Sequence, residues 1–211
     1  MAAEDPVYKP DDDAQLGGSP RERLVAAFGR AASEHGYSAL KVDHVLRYAG
    51  VSRATYEANF ESKEQGLIAA QDAFLERLWS EVDTACRTAV EWPFRVRAAL
   101  EAVLAALVEA SSLARVFAVE AVATSVVAAE RQLAALDRFA ALLSEGRSHY
   151  PQTATLPEAT ERAVVGGVAS ILSGHLLMED PQAIPLQEGE LVELLLMPYL
   201  GVAEARRVAA A

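Results

Sequence analysis

An all-α protein, built as a small N-terminal helical domain followed by a larger helical one, is predicted by three features of this sequence. Apolar residues recur at helical spacing through most of the chain. No stretch alternates in the manner of a strand, and no hairpin turn stands out. The composition is rich in Ala, Leu, Val and Glu, with only 12 glycines and 9 prolines in 211 residues, which favours helix.

Residues 1–20 carry KPDDDAQLGGSP without an apolar period, too polar to offset the entropy of ordering, and are expected to be a disordered tail. Ser19 followed by Pro20 reads as an N-cap with proline at the first helical position, opening a helix through Leu24, Phe28 and Ala32 that Gly36 stops. Val42, Val45, Leu46 and Ala49 lie on one face of a short second helix, ended by Gly50, with Val51 burying the turn. Ser52 caps a third helix, Arg53 to Asn59, that Phe60 plugs. Ser62 and Gln65 form an S-x-x-Q capping box for a long helix through Leu67, Phe74, Leu75, Leu78, Val82 and Cys86.

Pro93 begins a helix through Leu100, Leu104 and Leu107, and another starts near Ser111 and passes Phe117 and Val122. A further one carries Leu133, Leu136, Phe139 and Leu143 and ends near Gly146. YPQTATLP is a loop. From Pro157 a helix follows whose residues Val164, Val168, Ile171, Leu172 and Leu176 are apolar on more than one side, and Glu188 to Tyr199 forms the last helix before Gly201. The expected division is a tail at 1–20, a small domain at 21–66 and a larger helical domain at 67–211.

A lone cysteine, Cys86, allows no internal disulfide and suits a reducing cytoplasm. The start of the chain lacks the basic and apolar regions of a signal peptide, and the charge-free stretch Ala163 to Met178 falls short of the roughly 20 residues needed to span a bilayer. The expectation is a soluble cytoplasmic protein. Net charge is −11, yet Arg21 to Lys63 carries seven bases against five acids, a local +2 that leaves −13 to the rest. That asymmetry suits a small nucleic-acid-facing module on an acidic body, because phosphate contact is local. HExxH, paired cysteines, a glycine-rich phosphate loop and GxSxG are all missing, and the histidines His35, His44, His149 and His175 are scattered. No catalytic residue, metal or cofactor is therefore expected.

Three short helices ending in GVSRATYEANFESKE resemble the N-terminal domain of the TetR family of bacterial transcriptional regulators. The resemblance is carried by Phe28, Gly36, Tyr37, Val42, Val45, Ala49, Gly50, Val51, Ser52, Thr55, Phe60, Ser62, Lys63 and Glu64 and covers about the first third of the chain. In a helix-turn-helix the second helix enters the major groove and the first crosses the backbone. Here Arg53 would meet guanine O6/N7, Thr55 a thymine methyl or phosphate, and Tyr56 and Asn59 phosphate or base, with Ser52 and Ala54 at the same helix start. Lys41, Arg47 and Lys63 would take the phosphate backbone.

The sequence departs from the family at Leu40 and Lys41, where Thr or Ser usually caps the helix, at Glu57, usually tyrosine, and at Asn59, often histidine or tyrosine. Glu57 has three readings: it repels phosphate, accepts from cytosine N4, or holds Arg53 in its reading pose as an i,i+4 partner, and the last is favoured. Tyr56 has core packing as its alternative. The resemblance implies a homodimer on a pseudo-palindromic operator, most simply a repressor, with a small, largely apolar effector in the C-terminal domain. Trp79, Phe117, Glu120 and His175 are the expected effector residues, helix packing being their alternative role. Val164, Val168, Ile171, Leu172, Leu191 and Leu195 are the expected dimer interface. The rival reading is a helical binding module whose head has lost DNA binding, with Glu57 as the symptom.

Overall fold

The computed structural model describes residues 18–211, so the expected tail, apart from its last three residues, lies outside the described residues. The chain divides into two compact units with the boundary between Ala73 and Phe74, inside the long helix rather than at its start.

The first unit contains α1 (Pro20–Ala39), α2 (Val42–Ala49), α3 (Arg53–Asn59) and the opening turns of α4 (Lys63–Thr88). Ser19 caps α1 as expected, and Glu22 completes a capping box: Ser19 Oγ accepts the Glu22 N–H at 3.2 Å while the Glu22 carboxylate accepts the Ser19 N–H at 2.7 Å. Gly36, at φ 74° and ψ 169°, breaks the regular helix where expected, and one more turn follows to Ala39. Gly50 ends α2 in the left-handed region at φ 61°, its N–H bonded to Leu46 O at 3.0 Å. Ser52 Oγ accepts the Thr55 N–H at 3.1 Å and starts α3. Ahead of α4, Ser62 Oγ takes the Gln65 N–H at 3.1 Å, but the return arm reaches the N–H of Glu61, at 2.7 Å, rather than that of Ser62.

An aromatic cluster fills this unit. Phe28 is fully buried and meets Phe60 edge-on, with ring centroids 5.5 Å apart, while Tyr56 lies 6.1 Å from Phe28. The Phe28 ring lies so close to α4 that a β-carbon at Gly66 would sit 1.9 Å from Phe28 Cε2. Only glycine allows that approach.

The second unit begins in α4 and continues through α5 (Trp92–Glu109), α6 (Ser111–Arg115), α7 (Val126–Ser144), α8 (Gly146–His149), α9 (Thr160–Leu177) and α10 (Glu188–Ala209). The helix expected to run from Ser111 past Val122 is instead α6 plus a π-helical turn, Val116–Glu120, which leaves α5 at 101°. The expected YPQTATLP loop holds a 3-10 turn, Pro151–Thr155. Leu133, read as one of the apolar positions of α7, is 61% exposed. Gly201 breaks α10 at φ 74°, and a further helical stretch follows it.

Trp92, Leu100, Leu104, Val165, Leu172, Leu196 and Tyr199 form the main core, with the Trp92 and Tyr199 rings 4.8 Å apart. One charged group is buried beside it. Glu161, 6% exposed, receives Arg147 Nε at 2.6 Å and Nη2 at 3.0 Å, and its Oε1 also accepts the Tyr199 hydroxyl at 2.7 Å. The Arg147 hydrogen bonds, reinforced by Tyr199, hold the Glu161 pKa down to about 2 against 4.5 ordinarily. Because the folded pKa is the lower one, this stabilisation is complete above pH 4.5 and is lost as pH falls toward 2. Glu161→Gln is expected to cost about 3 kcal/mol at neutral pH, since it strands Arg147, and the gap to wild type should narrow as pH falls below about 4.5. Urea unfolding of both proteins across that range checks this; a gap independent of pH would show that the ionised pair is not what stabilises the unit.

Candidate nucleic-acid interface

The face of α3 that is left to solvent follows from what it buries. Tyr56 and Phe60 point into the aromatic core, so Arg53, Ala54, Glu57 and Ala58 face outward, with Thr55 and Asn59 half-buried at the margins. Helix α2 packs against α1, and the left-handed turn at Gly50 re-aims the chain into α3. This is the geometry of a helix-turn-helix, with α3 as the helix free to enter a groove.

Of the residues expected to meet DNA, Lys41, Arg47, Arg53 and Ala54 are exposed. Ser52 is engaged as the α3 cap, and its hydroxyl lies 2.9 Å from that of Thr55. Asn59 Nδ2 donates to Thr55 O at 2.8 Å. Lys63 Nζ reaches back to Leu40 O at 3.3 Å and Tyr37 O at 3.5 Å, over the Tyr37 ring, so its ammonium fastens α4 to the α1–α2 connection. Tyr56 takes the core alternative: it is 5% exposed, and its hydroxyl is buried with no hydrogen-bond partner among the described residues. Burial raises its pKa.

The expected Arg53–Glu57 pair is replaced by a different one. Arg53 Nη2 donates to Asp43 Oδ1 of α2 at 2.6 Å, while Glu57 has no hydrogen bond or ion pair among the described residues. Asp43 lies ten positions from Arg53, beyond any i,i+4 rule, so only the packing of α2 against α3 reveals it. The cap missing at Lys41 is supplied from inside the helix, where His44 Nδ1 accepts the Lys41 N–H at 3.4 Å. Partial burial and the neighbouring His35, Arg47 and Lys41 lower the His44 pKa, which keeps that nitrogen free to accept.

In the second unit the four expected effector residues have separate surroundings. Trp79 stacks on Phe139 at 4.3 Å under the Arg138 guanidinium, Phe117 is buried against Phe74 at 5.9 Å, Glu120 pairs with Arg115, and His175 Nε2 lies 3.1 Å from Gln187 Oε1. The expected dimer residues divide differently. Val168, Leu172, Leu191 and Leu195 are no more than 7% exposed within a single chain and belong to its own core. Val168 and Leu172 face inward because α9 packs that side on α6, α7 and α10, and Leu191 and Leu195 because α10 packs on α5 and α9. Val164 is half-buried and Ile171 is 39% exposed. The open face of α9 instead carries Ala163, Gly167, Ile171, Gly174, Leu177 and Met178, where a β-carbon added at either glycine would meet nothing within 4 Å. No group of three metal-ligating side chains occurs among the described residues, and no single helix there is long and apolar enough to cross a membrane.

Solved structures share this arrangement. A transcriptional regulator from Rhodococcus sp. RHA1 superposes with a TM-score of 0.64 at 22% identity, over 83% of this chain and 96% of that one. The fatty acid degradation regulator FadR from Bacillus halodurans gives 0.69 at 19% identity, over 86% and 96%. A TetR-family transcriptional regulator from Streptomyces coelicolor gives 0.61 at 16% identity, over 99% and 98%. The fold is that of TetR-family transcriptional regulators. No family model matches the chain, and no curated protein matches its sequence. Within this TetR-like fold the N-terminal unit is the helix-turn-helix head and the C-terminal unit is the helical body.

The stranded Tyr56 hydroxyl has a measurable consequence. An unsatisfied buried donor is costly, so Tyr56→Phe is expected to raise the stability of the head by about 1 kcal/mol, read from thermal unfolding. A loss of stability would mean that the hydroxyl has a partner in solution.

Proposed function

We propose that the chain is a TetR-like, DNA-binding transcriptional regulator, a cytoplasmic homodimer that represses from a pseudo-palindromic operator until a small, largely apolar effector releases it. The observation that carries this reading is the solvent face of α3, where a base-reading arginine stands exposed at the start of the second helix of a helix-turn-helix, flanked by exposed Lys41 just before α2 and Arg47 on it. Arg53, Ala54 and Glu57 meet base edges in this reading, and Lys41 and Arg47 meet phosphate. Ser52, Thr55, Asn59 and Lys63 hold the head in shape at the edge of the contact. A single three-helix head makes too few contacts to select a site in a genome, so the reading requires two copies.

The open face of α9, charge-free from Ala163 to Met178, supports a helix-to-helix seam with a second copy, small residues there allowing close approach. Support for an apolar effector comes from the π-helical turn Val116–Glu120 beside the Phe74 and Phe117 rings, since such turns frequently occur at functional sites. The likeness to a fatty acid degradation regulator points the same way.

Electrophoretic mobility shift with DNA from upstream of the protein's own gene tests the regulator reading. A specific complex that weakens steeply with salt is expected, and Arg53→Ala should remove about 1–3 kcal/mol of discrimination at one base pair of each half-site. No complex at low salt would favour a binding module whose head no longer reads DNA, a reading that the unpartnered acid Glu57 on the same face would then explain. The seam is tested separately by sedimentation. Ile171→Glu is expected to give folded monomers, whereas Leu195→Glu, at a position 7% exposed within one chain, should unfold the body. A dimer in the Ile171→Glu variant would place the interface elsewhere.

A further inference from the structure

The acid that partners Arg53 sits on the neighbouring helix. Asp43 is the second residue of α2, where the helix N-terminus favours a carboxylate, and its short side chain meets Arg53 Nη2 at 2.6 Å. Both side chains are more than half exposed, 57% for Arg53 and 69% for Asp43, and an exposed ion pair of this kind adds little to folding. What it does is restrict a long, rotamer-rich side chain at the position where reading a base demands a defined pose.

We propose that Asp43 is the positioning residue for Arg53, setting the guanidinium for guanine while itself lowering the affinity of the head for DNA of any sequence. Asp43 takes one of the two Nη2 N–H groups; the other has no protein acceptor among the described residues, nor do Nε and Nη1, so it remains paired with whichever of these two lies beside it as a fork available to guanine O6 and N7. Exposure is what keeps the pair weak in the free protein. As the head enters the groove water leaves, the local dielectric falls and the attraction between Asp43 and Arg53 strengthens at the moment when the pose matters. The same carboxylate faces a field of phosphates, which repels it equally on every sequence. Selectivity and overall affinity therefore respond to Asp43 with opposite signs, which no bystander pair would do.

The inference rests on the regulator reading, and the test separates the two. Full-length wild type, Asp43→Asn, Arg53→Ala and the double variant are titrated against the operator, against its single-base-pair variants and against a random duplex, with circular dichroism as the check on folding. Should Asp43→Asn lose helicity, Asp43→Ser is a neutral alternative suited to a helix start. In Asp43→Asn the preference for guanine at the pair read by Arg53 is expected to fall about three- to tenfold, while random DNA binds more tightly. In the Arg53→Ala background the Asp43 change should leave that pair unaffected. A preference unchanged or sharpened in Asp43→Asn overturns the inference, because Asp43 would then be a bystander or a competitor for Arg53. A wild type that forms no specific complex removes the regulator reading and this inference with it, and is recognised before any variant is compared.

Discussion

The ring of Phe28 fills the space that any side chain at position 66 would need, and the head is organised around that contact. With Gly66 beneath it, the ring brings α1 against the start of α4 and presents an edge to Phe60 and Tyr56. Those two residues then determine the rotation of α3 about its own axis. A seven-residue helix has too few turns to be stable alone, so its orientation comes from the residues it buries. Once Tyr56 and Phe60 point inward, the i and i+4 pair Arg53 and Glu57 must point out.

The body solves a different problem. Its helices are largely apolar, and an oily surface alone leaves their register loosely specified. The buried carboxylate of Glu161, on α9, is directional: Arg147 of α8 and Tyr199 of α10 converge on it, and Arg147 also donates to Leu156 O and Pro157 O in the connecting segment. Each group would be costly if buried alone, so the three are stable only in the arrangement where they meet. That arrangement turns Val168 and Leu172 inward and leaves Gly167, Ile171 and Gly174 on the outer face of α9.

Charge on the reading face follows a related logic. The head carries only a mild excess of positive charge, and two of its acids, Asp43 and Glu57, lie at or beside the face proposed to meet DNA. Acids there weaken contact with every phosphate equally, whereas an arginine held in one orientation favours some bases over others. In the proposed reading, a weakly basic head with a restrained arginine is suited to discrimination more than to tight non-specific binding.

Much of this was determined by the sequence itself. Local chemistry sets the start and end of most helices: Ser19, Ser52 and Ser62 supply capping oxygens within three residues of their partners, and Gly36 and Gly50 adopt backbone angles that other residues resist. Helical periodicity was equally legible for α2. The tertiary structure decided which of several permitted roles each residue took. Tyr56 could be reader or core by spacing alone, and the Phe28 contact placed it inside. Lys63 had the charge for a phosphate, yet the carbonyls of Tyr37, in the last turn of α1, and Leu40, just after it, lay within its reach. On α9 almost every position is apolar, so periodicity cannot separate the side that packs on its own chain from the side left open, and two of the residues expected at a dimer interface there, Val168 and Leu172, are buried within the chain. Arg53 had an acid at i+4 and took Asp43 instead, because partner choice is settled by through-space distance, which exists only after α2 and α3 have packed.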